Sequence, residues 1–308
     1  MHVYLLNFNV RVFAGVKDGP SFSMREDAGL KTILDLKSDT SLLKTNATIN
    51  LADPYLFVSS SRLYLFYERL DTVYGKGRIC MRSTDDLINW TEEVDVLVEP
   101  FHLSFPYVFE DNGKVYMLPE SGENNTISLY EASDETLTKW SLIKNLRENE
   151  QWYDSTIIRK DGHYYLFTGD QPISTEQTQH LFVSESLLGP YKEHPSSPIY
   201  RGLDGGRNAG SIIECDGKYY RPIQVCMNSY GEQTNIMNIE SLTPTEYKES
   251  VYLKSIIDTA RTPFKYGGHQ WNQVDFLGKR IIAIDYRVPN YNIIELYRRL
   301  RLKFINHS

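Results

Sequence analysis

The sequence predicts an all-β fold, a five-bladed β-propeller, and three observations carry this prediction. A hairpin pattern occurs five times, its copies are evenly spaced, and aromatic residues that favour strands are abundant. The chain has 308 residues, of which 41% are hydrophobic, with 22 Tyr and 13 Phe. Evenly spaced copies indicate radial repetition, because each small sheet can bury its faces only against its neighbours.

The clearest unit is the hairpin between residues 103 and 120. Aromatic residues alternate along its first strand from Phe105 to Phe109, and the alternation resumes after the turn. The turn contains Asn112-Gly113, a strong hairpin signal because both residues accept positive φ. A third strand over 127–132 and a polar segment that ends at Trp140 complete the unit.

Four other segments repeat this pattern of an alternating strand, a polar turn and a second alternating strand. They are residues 53–66, 154–167, 210–223 and 268–284. The outer strands repeat as well, and four of them are followed by an aromatic residue: Trp90, Trp140, Tyr191 and Tyr247. These aromatic residues are 50, 51 and 56 positions apart, and periods of this length are typical of propeller blades.

We expect one domain over residues 1–308. Its blades are predicted from about residue 48 to residue 290, with an N-terminal arm over 1–47 and a C-terminal tail over 291–308. Residues 1–12 alternate in part, which predicts a strand that closes the ring with the last blade. Residues 27–37 are predicted to form a short helix or an arm.

The tail between residues 292 and 303 has two interpretations. It places leucines among basic residues, as in a terminal helix that binds a partner or an acidic membrane surface. Alternatively it is a packed strand or helix with solvated charges.

Composition narrows the classes of partner. The net charge of −7 and the pI near 5.6 argue against a nucleic-acid partner, which requires a clustered basic surface. The sequence has no apolar run of the length that a transmembrane helix needs, roughly twenty residues. Three scattered cysteines provide neither a disulfide framework nor a zinc site. We therefore predict a cytoplasmic protein without a metal or other cofactor.

Polar residues occur at matching places in the repeats. Alignment on the turns puts five positions at the start of the inner strands: Asp53, Phe105, Asp154, Asn208 or Ala209, and His269 or Gln270. The strand after each turn also ends in a polar residue, and these are Glu68, Glu120, Asp170, Gln224 and Asp285. Inner strands of a propeller line a central funnel, so we expect these side chains to share one polar rim.

Other residues are predicted to join this rim. Arg207 and Asn208 follow two glycines, and Arg221 interrupts an apolar strand. Trp271 is an aromatic candidate for stacking on a sugar, because sugars present C–H faces as well as hydroxyl rims. We predict that Glu68, Asp170, Arg207, Asn208, Arg221, His269 and Trp271 bind substrate.

Several of these motifs resemble known families. Ala52-Asp53-Pro54 and the acidic hairpins resemble the five-bladed glycoside hydrolases of the arabinanase and β-xylosidase type. A closer resemblance is to the propeller that stands N-terminal in glucosamine inositolphosphorylceramide transferases and in many bacterial relatives. The segments that carry it are 105–111, 117–121, 154–156, 186–191, 220–224 and 242–247. The resemblance covers roughly residues 48–285.

The resemblance to the hydrolases implies roles for three carboxyl groups. Asp53 takes the position of the general base, and Asp154 is the candidate nearest to the position of the acid, where those enzymes have Glu. Trp152 and Tyr153 are expected to exclude water from Asp154, which favours its protonated form. Phe105 stands where the hydrolases have an Asp that tunes the acid, so Glu120 is the candidate for supplying that carboxyl group. His269 corresponds to a histidine near the floor of their funnel.

Three functions remain open on this evidence. The first is an enzyme that hydrolyses or transfers glycosyl bonds of a carbohydrate or glycoconjugate substrate, with Asp53, Asp154 and Glu120 as catalytic residues. The second is a non-catalytic carbohydrate-binding domain that serves a separate glycan-assembly enzyme. The third is a protein-interaction scaffold, which would present an exposed apolar face rather than converging carboxylates.

Overall fold

The chain forms five antiparallel sheets in the computed structural model. The structure describes residues 6–16, 22, 24, 29–38, 49–71, 75–170 and 177–290. The first two strands are β1 (Leu6–Val16) and β2 (Lys31–Leu36). Blade 1 contains β3 (Ile49–Ser59), β4 (Arg62–Asp71), β5 (Lys76–Thr84) and β6 (Val94–Leu97). Blade 2 contains β7 (Ser104–Asp111), β8 (Lys114–Glu120), β9 (Thr126–Ala132) and β10 (Trp140–Glu148), with a short 3-10 helix at Gly122–Asn124.

The remaining strands complete the other three blades. Blade 3 contains β11 (Tyr153–Lys160), β12 (His163–Gly169), β13 (Thr178–Ser184), β14 (Lys192–Glu193) and β15 (Tyr200–Arg201). Blade 4 contains β16 (Ile213–Cys215), β17 (Lys218–Val225), β18 (Gln233–Leu242) and β19 (Tyr247–Leu253). A 3-10 helix at Phe264–Tyr266 precedes β20 (Trp271–Phe276) and β21 (Lys279–Pro289). The prediction of a five-bladed, all-β propeller is confirmed.

The fifth blade is built from both ends of the chain, in the order β2, β1, β21, β20. β1 pairs with β21 along its whole length, from Leu6 opposite Pro289 to Val16 opposite Lys279. The predicted ring-closing strand is therefore confirmed. Arg11 on β1 binds Asp35 on β2 through two hydrogen bonds of 3.1 and 2.7 Å, which ties the edge strand to the blade.

Two expectations about the N-terminal region are corrected by these strands. Residues 1–47 are not simply an arm, because β1 and β2 are part of the fifth sheet. The helix predicted over 27–37 is wrong where the structure describes it, since Lys31–Leu36 is a strand. Alternating polar and apolar residues in that segment fit an edge strand better than a helix. The proposed terminal helix over 292–303 lies outside the described residues.

The apolar side chains are buried between neighbouring blades. One cluster joins blades 1, 2 and 3 and includes Tyr55, Phe66 and Phe105, while another joins blades 4 and 5 around Trp271. Further clusters join blade 5 to blade 1 and blade 3 to blade 4. Burial of this kind contributes about 25 cal/mol per Å² of apolar surface, so each blade depends on its neighbours for stability. Among the described residues, no helix is long and apolar enough to cross a membrane.

The inner strands of the first three blades begin with the same irregularity. Asp53, Phe105 and Asp154 have φ values of 53°, 44° and 49°, and each lies where the pairing register of its blade shifts. Such a bulge bends the strand and redirects one side chain. Positive φ is common for Asp but costly for Phe, so Phe105 carries backbone strain of about 1–3 kcal/mol.

The hairpin turn of blade 2 provides a test of the fold. Gly113 has a φ of 76°, and a side chain there would meet no atom within 4 Å. Gly113→Val should therefore lower the free energy of unfolding by about 1–3 kcal/mol through backbone strain alone. Lys114→Val, one residue later and within the strand, is the matched control and should cost less than about 1 kcal/mol. Equal urea midpoints for the two variants would contradict the turn assignment.

Candidate functional site

A polar cavity of about 290 Å³ lies where the inner strands converge. Its charged or titratable lining includes Asp53, Glu68, Glu120, Asp154, Arg207 and His269. The six residues that we predicted to converge on one funnel mouth are thus brought together. Two other cavities, of about 400 and 380 Å³, lie along the outer strands of blades 3 and 4.

The strand register explains why acidic side chains meet at this cavity. Opposite the bulge of blade 1, Ala52 pairs with Glu68, and at the same place in blade 2 Ser104 pairs with Glu120. Both glutamates therefore lie on the cavity side near the end of the second strand, Glu120 as the last residue of β8 and Glu68 three residues before the end of β4. The Oγ of Ser104 donates a hydrogen bond of 3.0 Å to Glu120.

Blade 3 departs from this pattern and accommodates an arginine instead. The residue that pairs at the corresponding place, opposite Tyr153, is Gly169. A side chain at Gly169 would lie 3.0 Å from the carbonyl oxygen of Gly206 and 3.5 Å from Cγ of Arg207. The glycine thus leaves room for the segment that carries Arg207.

Arg207 neutralises the carboxylates of two blades. Its Nε donates a hydrogen bond of 2.7 Å to Oδ2 of Asp154, and its Nη2 lies 3.6 Å from Oε2 of Glu120. Gln224 also donates to Oδ2 of Asp154, at 2.7 Å. Asp154, the predicted acid, is therefore held by two donors on the same carboxyl oxygen, and its role as an acid stays a prediction.

A buried chain of hydrogen bonds holds the backbone of Asp154 in place on the side away from the cavity. The side-chain amide of Asn208 donates to the backbone oxygen of Asp154 at 2.7 Å, and Arg221 donates to Oδ1 of Asn208 at 3.1 Å. Arg221 is fully buried and binds Glu249 through two hydrogen bonds of 3.0 and 2.6 Å. Asn208 and Arg221 therefore position the carboxylate instead of facing the cavity.

His269 lies between two carboxyl groups at the other side of the cavity. Its Nδ1 is 2.6 Å from Oδ2 of Asp285, and its Nε2 is 3.3 Å from Oδ1 of Asp53. Burial lowers the pKa of His269, but the carboxylates of Asp285 and Asp53 outweigh it and raise that pKa above its usual value. The ring of Phe8 stacks on the imidazole at 4.4 Å. His269 is thus held as a buried cation.

The same three groups are the place where a metal ion would be sought. Side-chain atoms of Asp53, His269 and Asp285 lie within 4.8 Å of one another. A histidine ligand must offer a neutral ring nitrogen with a free lone pair. Both ring nitrogens of His269 face carboxyl groups, so in this structure the three residues form an ion-paired triad.

The environments of Asp53 and Glu120 raise the pKa of both carboxyl groups. Burial, with the charge of Asp154, raises the pKa of Asp53 to about 7 even though His269 opposes the shift. Burial and the charge of Asp154 raise the pKa of Glu120 to about 8, with Arg207 opposing. The backbone N–H of Phe105 donates to Oδ2 of Asp53 at 3.1 Å and orients it.

Four residues predicted to bind substrate lie away from the cavity lining, namely Asp170, Asn208, Arg221 and Trp271. Asp170 follows Gly169 by one position and binds Nε2 of His180 at 3.0 Å. Arg221 is engaged with Glu249, as described above. Trp271 is fully buried in the core between blades 4 and 5, and its Nε1 donates to Gln273 at 3.1 Å. The sequence analysis placed these residues at the polar rim, but the strand register and the direction of their side chains point them away from the cavity.

Other lining residues were not predicted. His102, Ser104 and Tyr230 lie in or beside loops, and Phe8 comes from the N-terminal strand. Tyr153, in contrast, was expected beside Asp154, and it lines the cavity with its ring 5.0 Å from the guanidinium carbon of Arg207. The repeat pattern gives no signal for loop residues, whereas the position of Ser104 beside the bulge would have been accessible from the alignment.

Comparison with protein families identifies relatives of this chain. The model of the family "Glucosamine inositolphosphorylceramide transferase 1, N-terminal" matches residues 38–281. The transferase of that name from Arabidopsis thaliana is 36% identical over 230 residues, and that from Oryza sativa subsp. japonica is 33% identical over 231 residues. Each alignment covers 73% of this chain but only 29% and 31% of these relatives. The chain therefore spans about a third of the length of the curated relatives.

Solved structures share the fold at low sequence identity. A xylan β-1,4-xylosidase from Bacillus Halodurans has a TM-score of 0.54 at 17% identity, covering 78% of this chain and 52% of the other. A family 117 glycoside hydrolase from Zobellia galactanivorans has a TM-score of 0.55 at 15% identity, covering 83% and 90%. An α-L-arabinanase from Cellvibrio cellulosa has a TM-score of 0.51 at 20% identity, covering 65% and 77%. These similarities concern the propeller fold.

The ion pair of Arg207 and Asp154 can be tested by its effect on stability. Arg207→Met leaves the buried carboxylate of Asp154 without its cation and should lower the free energy of unfolding by about 3–5 kcal/mol. The double variant Arg207→Met, Asp154→Asn should recover part of this loss, because it also removes the carboxylate that lost its cation. Urea unfolding at pH 7.5 measures all three proteins.

Arg159→Met is the matched control, because Arg159 is half exposed and pairs with Asp111 at 3.2 Å. It should cost less than about 1 kcal/mol. A single Arg207 variant as stable as the Arg159 variant would contradict the assigned ion pair.

Proposed function

The chain belongs to the family of the glucosamine inositolphosphorylceramide transferase 1 N-terminal domain, and from this premise we propose that its central cavity binds a carbohydrate or the sugar of a glycoconjugate. The cavity has the size and chemistry of a sugar site. Carboxyl, guanidinium and imidazole groups are arranged for hydrogen bonds to hydroxyls, and Phe8, Tyr153 and Tyr230 supply aromatic surface for C–H faces.

One observation supports a glycosidase-like role for the cavity. Asp53 and Glu120 face the same small volume, and burial raises the pKa of both carboxyl groups into the neutral range, to about 7 for Asp53 and about 8 for Glu120. Glycosyl hydrolysis requires a pair of carboxyl groups, one that carries a proton and one that is ionised. We therefore assign Glu120 as the acid and Asp53 as the base.

The proposed reaction is hydrolysis of a glycosidic bond. Glu120 gives its proton to the leaving oxygen while the bond between that oxygen and the anomeric carbon breaks. A water molecule forms the new bond to the anomeric carbon and gives its proton to Asp53. The products are two hydroxyl-bearing fragments, and return of a proton from Asp53 to Glu120 through solvent restores the site. Asp154 and Arg207 act as positioning residues in this proposal.

A second candidate is a non-catalytic carbohydrate-binding domain, and two observations favour it. Phe105 stands at the start of the second inner strand, where the resembling hydrolases carry an Asp, and Asp154 is engaged by Arg207. In this alternative the propeller presents a sugar to a glycan-assembly enzyme. The longer relatives are named as transferases, which supports such a partner.

Substitution of Asp53 separates the two candidates. Wild type and Asp53→Asn are screened against nitrophenyl glycosides for turnover and on a sugar array for binding. For the enzyme we expect turnover to disappear while sugar affinity changes by less than about tenfold. For the binding domain we expect no turnover and a loss of affinity of about 1–3 kcal/mol, the cost of a lost charged hydrogen bond.

Asp85→Asn, an exposed carboxylate on blade 1, is the matched control and should change neither property. Turnover that persists in Asp53→Asn would exclude Asp53 as the base. A wild-type protein that binds no sugar on the array and turns over no glycoside would refute the proposed function.

The pH dependence of kcat/KM follows from the two carboxyl groups. Asp53 must be ionised, so activity should rise as pH increases through about 7. Glu120 must be protonated, so activity should fall as pH increases through about 8. The expected profile is a narrow bell between these limits. Because Glu120 protonates the leaving oxygen, Glu120→Gln should abolish turnover on glycosides with poor leaving groups. A profile that is flat from pH 6 to pH 9 would contradict the assignment.

A further inference from the structure

Glu68 is a buried carboxyl group without a cation of its own. Its residue is 6% exposed and lines the cavity. Among the described residues, the contact of its carboxyl group is with Nε2 of His102, at 3.5 Å from Oε1. The two cations of the cavity are engaged elsewhere: Arg207 binds Asp154, and His269 lies between two aspartates.

His102 contributes a hydrogen-bond donor but no charge. The backbone N–H of Gly77 donates a hydrogen bond of 2.9 Å to Nδ1 of His102. Because a backbone N–H cannot accept a hydrogen bond, Nδ1 must keep its lone pair, and the ring proton lies on Nε2. Burial also lowers the pKa of His102. The imidazole is therefore neutral, with Nε2–H directed at Glu68.

Gly77 fixes this arrangement by its lack of a side chain. A Cβ at Gly77 would lie 2.4 Å from the carbonyl oxygen of Leu103, 2.7 Å from Oε1 of Glu68 and 2.8 Å from Cε1 of His102. Leu103 also donates from its N–H to the oxygen of Gly77 at 3.0 Å. The loop with His102 is thereby held against β5, directly beside Glu68.

The other charged groups around Glu68 oppose its ionisation. Carboxyl groups approach it from β3, β8, β11 and β21, through Asp53, Glu120, Asp154 and Asp285. Burial has the largest effect and these negative charges add to it, and together they raise the pKa of Glu68 well above its usual value. An ionised carboxylate without a cation is strongly disfavoured in a buried position, and the neutral acid avoids that cost.

We propose that Glu68 remains protonated at neutral pH and acts as a hydrogen-bond donor that determines which ligands the cavity accepts. Nε2–H of His102 faces Oε1 at 3.5 Å, and the protonated carboxyl group offers its O–H to the cavity that Glu68 lines. The group it recognises is an acceptor oxygen of a sugar, such as a ring, glycosidic or carbonyl oxygen. This ligand preference rests on the proposed function, whereas the protonation of Glu68 does not.

The protonation is tested without any ligand, by Glu68→Gln. Infrared spectra at pH 7 should show the C=O band of a protonated carboxyl group in the wild type and a weaker band in Glu68→Gln.

The pH dependence of thermal unfolding is a second test of the same protonation state. A carboxyl group whose pKa is higher in the folded than in the unfolded protein stabilises the fold at pH values below the unfolded pKa, about 4.3. As the pH rises from there towards the folded pKa, this stabilisation is lost.

Glu68→Gln cannot ionise, so its Tm relative to wild type should increase steadily from pH 5 to pH 8. Glu92→Gln, at an exposed position of blade 1, is the matched control and should show no such trend. An unchanged infrared band, together with a Glu68→Gln variant less stable than wild type at pH 7, would overturn the proposal.

The ligand preference is tested with the methyl glycosides of xylose, arabinose, glucose and N-acetylglucosamine, measured by ligand-observed NMR at pH 7. Gln keeps a donor at the position of the O–H, so Glu68→Gln should bind within about threefold of wild type. Glu68→Met has no donor and should lose about tenfold or more. If both variants lose affinity equally, the donor role is refuted even though the protonation result stands. If wild type binds none of the four glycosides, the proposed function fails together with the ligand preference.

Discussion

The closure of the ring by β1 and β21 is the interaction on which the cavity depends. Each blade buries its faces only against its neighbours, so an open ring would expose the sides of the first and last blades. The same pairing carries Phe8 to the imidazole of His269, where it stacks at 4.4 Å. Asp285, which holds that imidazole, lies on β21 opposite Val10 of β1. Pairing of β1 with β21 therefore completes the fold and also places Phe8 and Asp285 against His269 of the site.

Charge balance then decides what each carboxyl group of the cavity can do. Arg207 and His269 each contact two carboxyl groups, which leaves Glu68 with a neutral histidine as its described partner. In a buried volume a charge without a counter-ion is removed by protonation more readily than it is tolerated. Glu68 and Glu120, which have matching positions in the repeat, thus acquire different neighbours: His102 faces Glu68, and Arg207 faces Glu120. These neighbours come from loops outside the two strands that carry the glutamates.

This dependence on neighbours explains what the sequence could and could not predict. The five blades and the convergence of Asp53, Glu68 and Glu120 follow from alternation and register, which are local properties of each hairpin. The alignment misplaced Asp170 by one residue, because it could not show that Gly169 is the partner across the strand pair. The helix predicted over 27–37 failed because the extended conformation of β2 depends on its pairing with β1, which the residues of the segment itself do not reveal. His102, Tyr230 and Phe8 lacked any repeat signal, since loops and ring closure bring them to the cavity.

The strained backbone at Phe105 links the bulge to the chemistry of its neighbour. Phe105 cannot carry charge, and its side chain is fully buried against Tyr55 with ring centroids 5.3 Å apart. Its φ of 44° nevertheless repeats the geometry of Asp53 and Asp154. That geometry directs the N–H of Phe105 to Oδ2 of Asp53, where a donor stabilises the ionised form. The bulge in blade 2 therefore contributes to the site through its backbone. In blade 2 the carboxyl group at the cavity comes instead from the second strand, through Glu120, so it lies one strand outward from the places of Asp53 and Asp154 in blades 1 and 3.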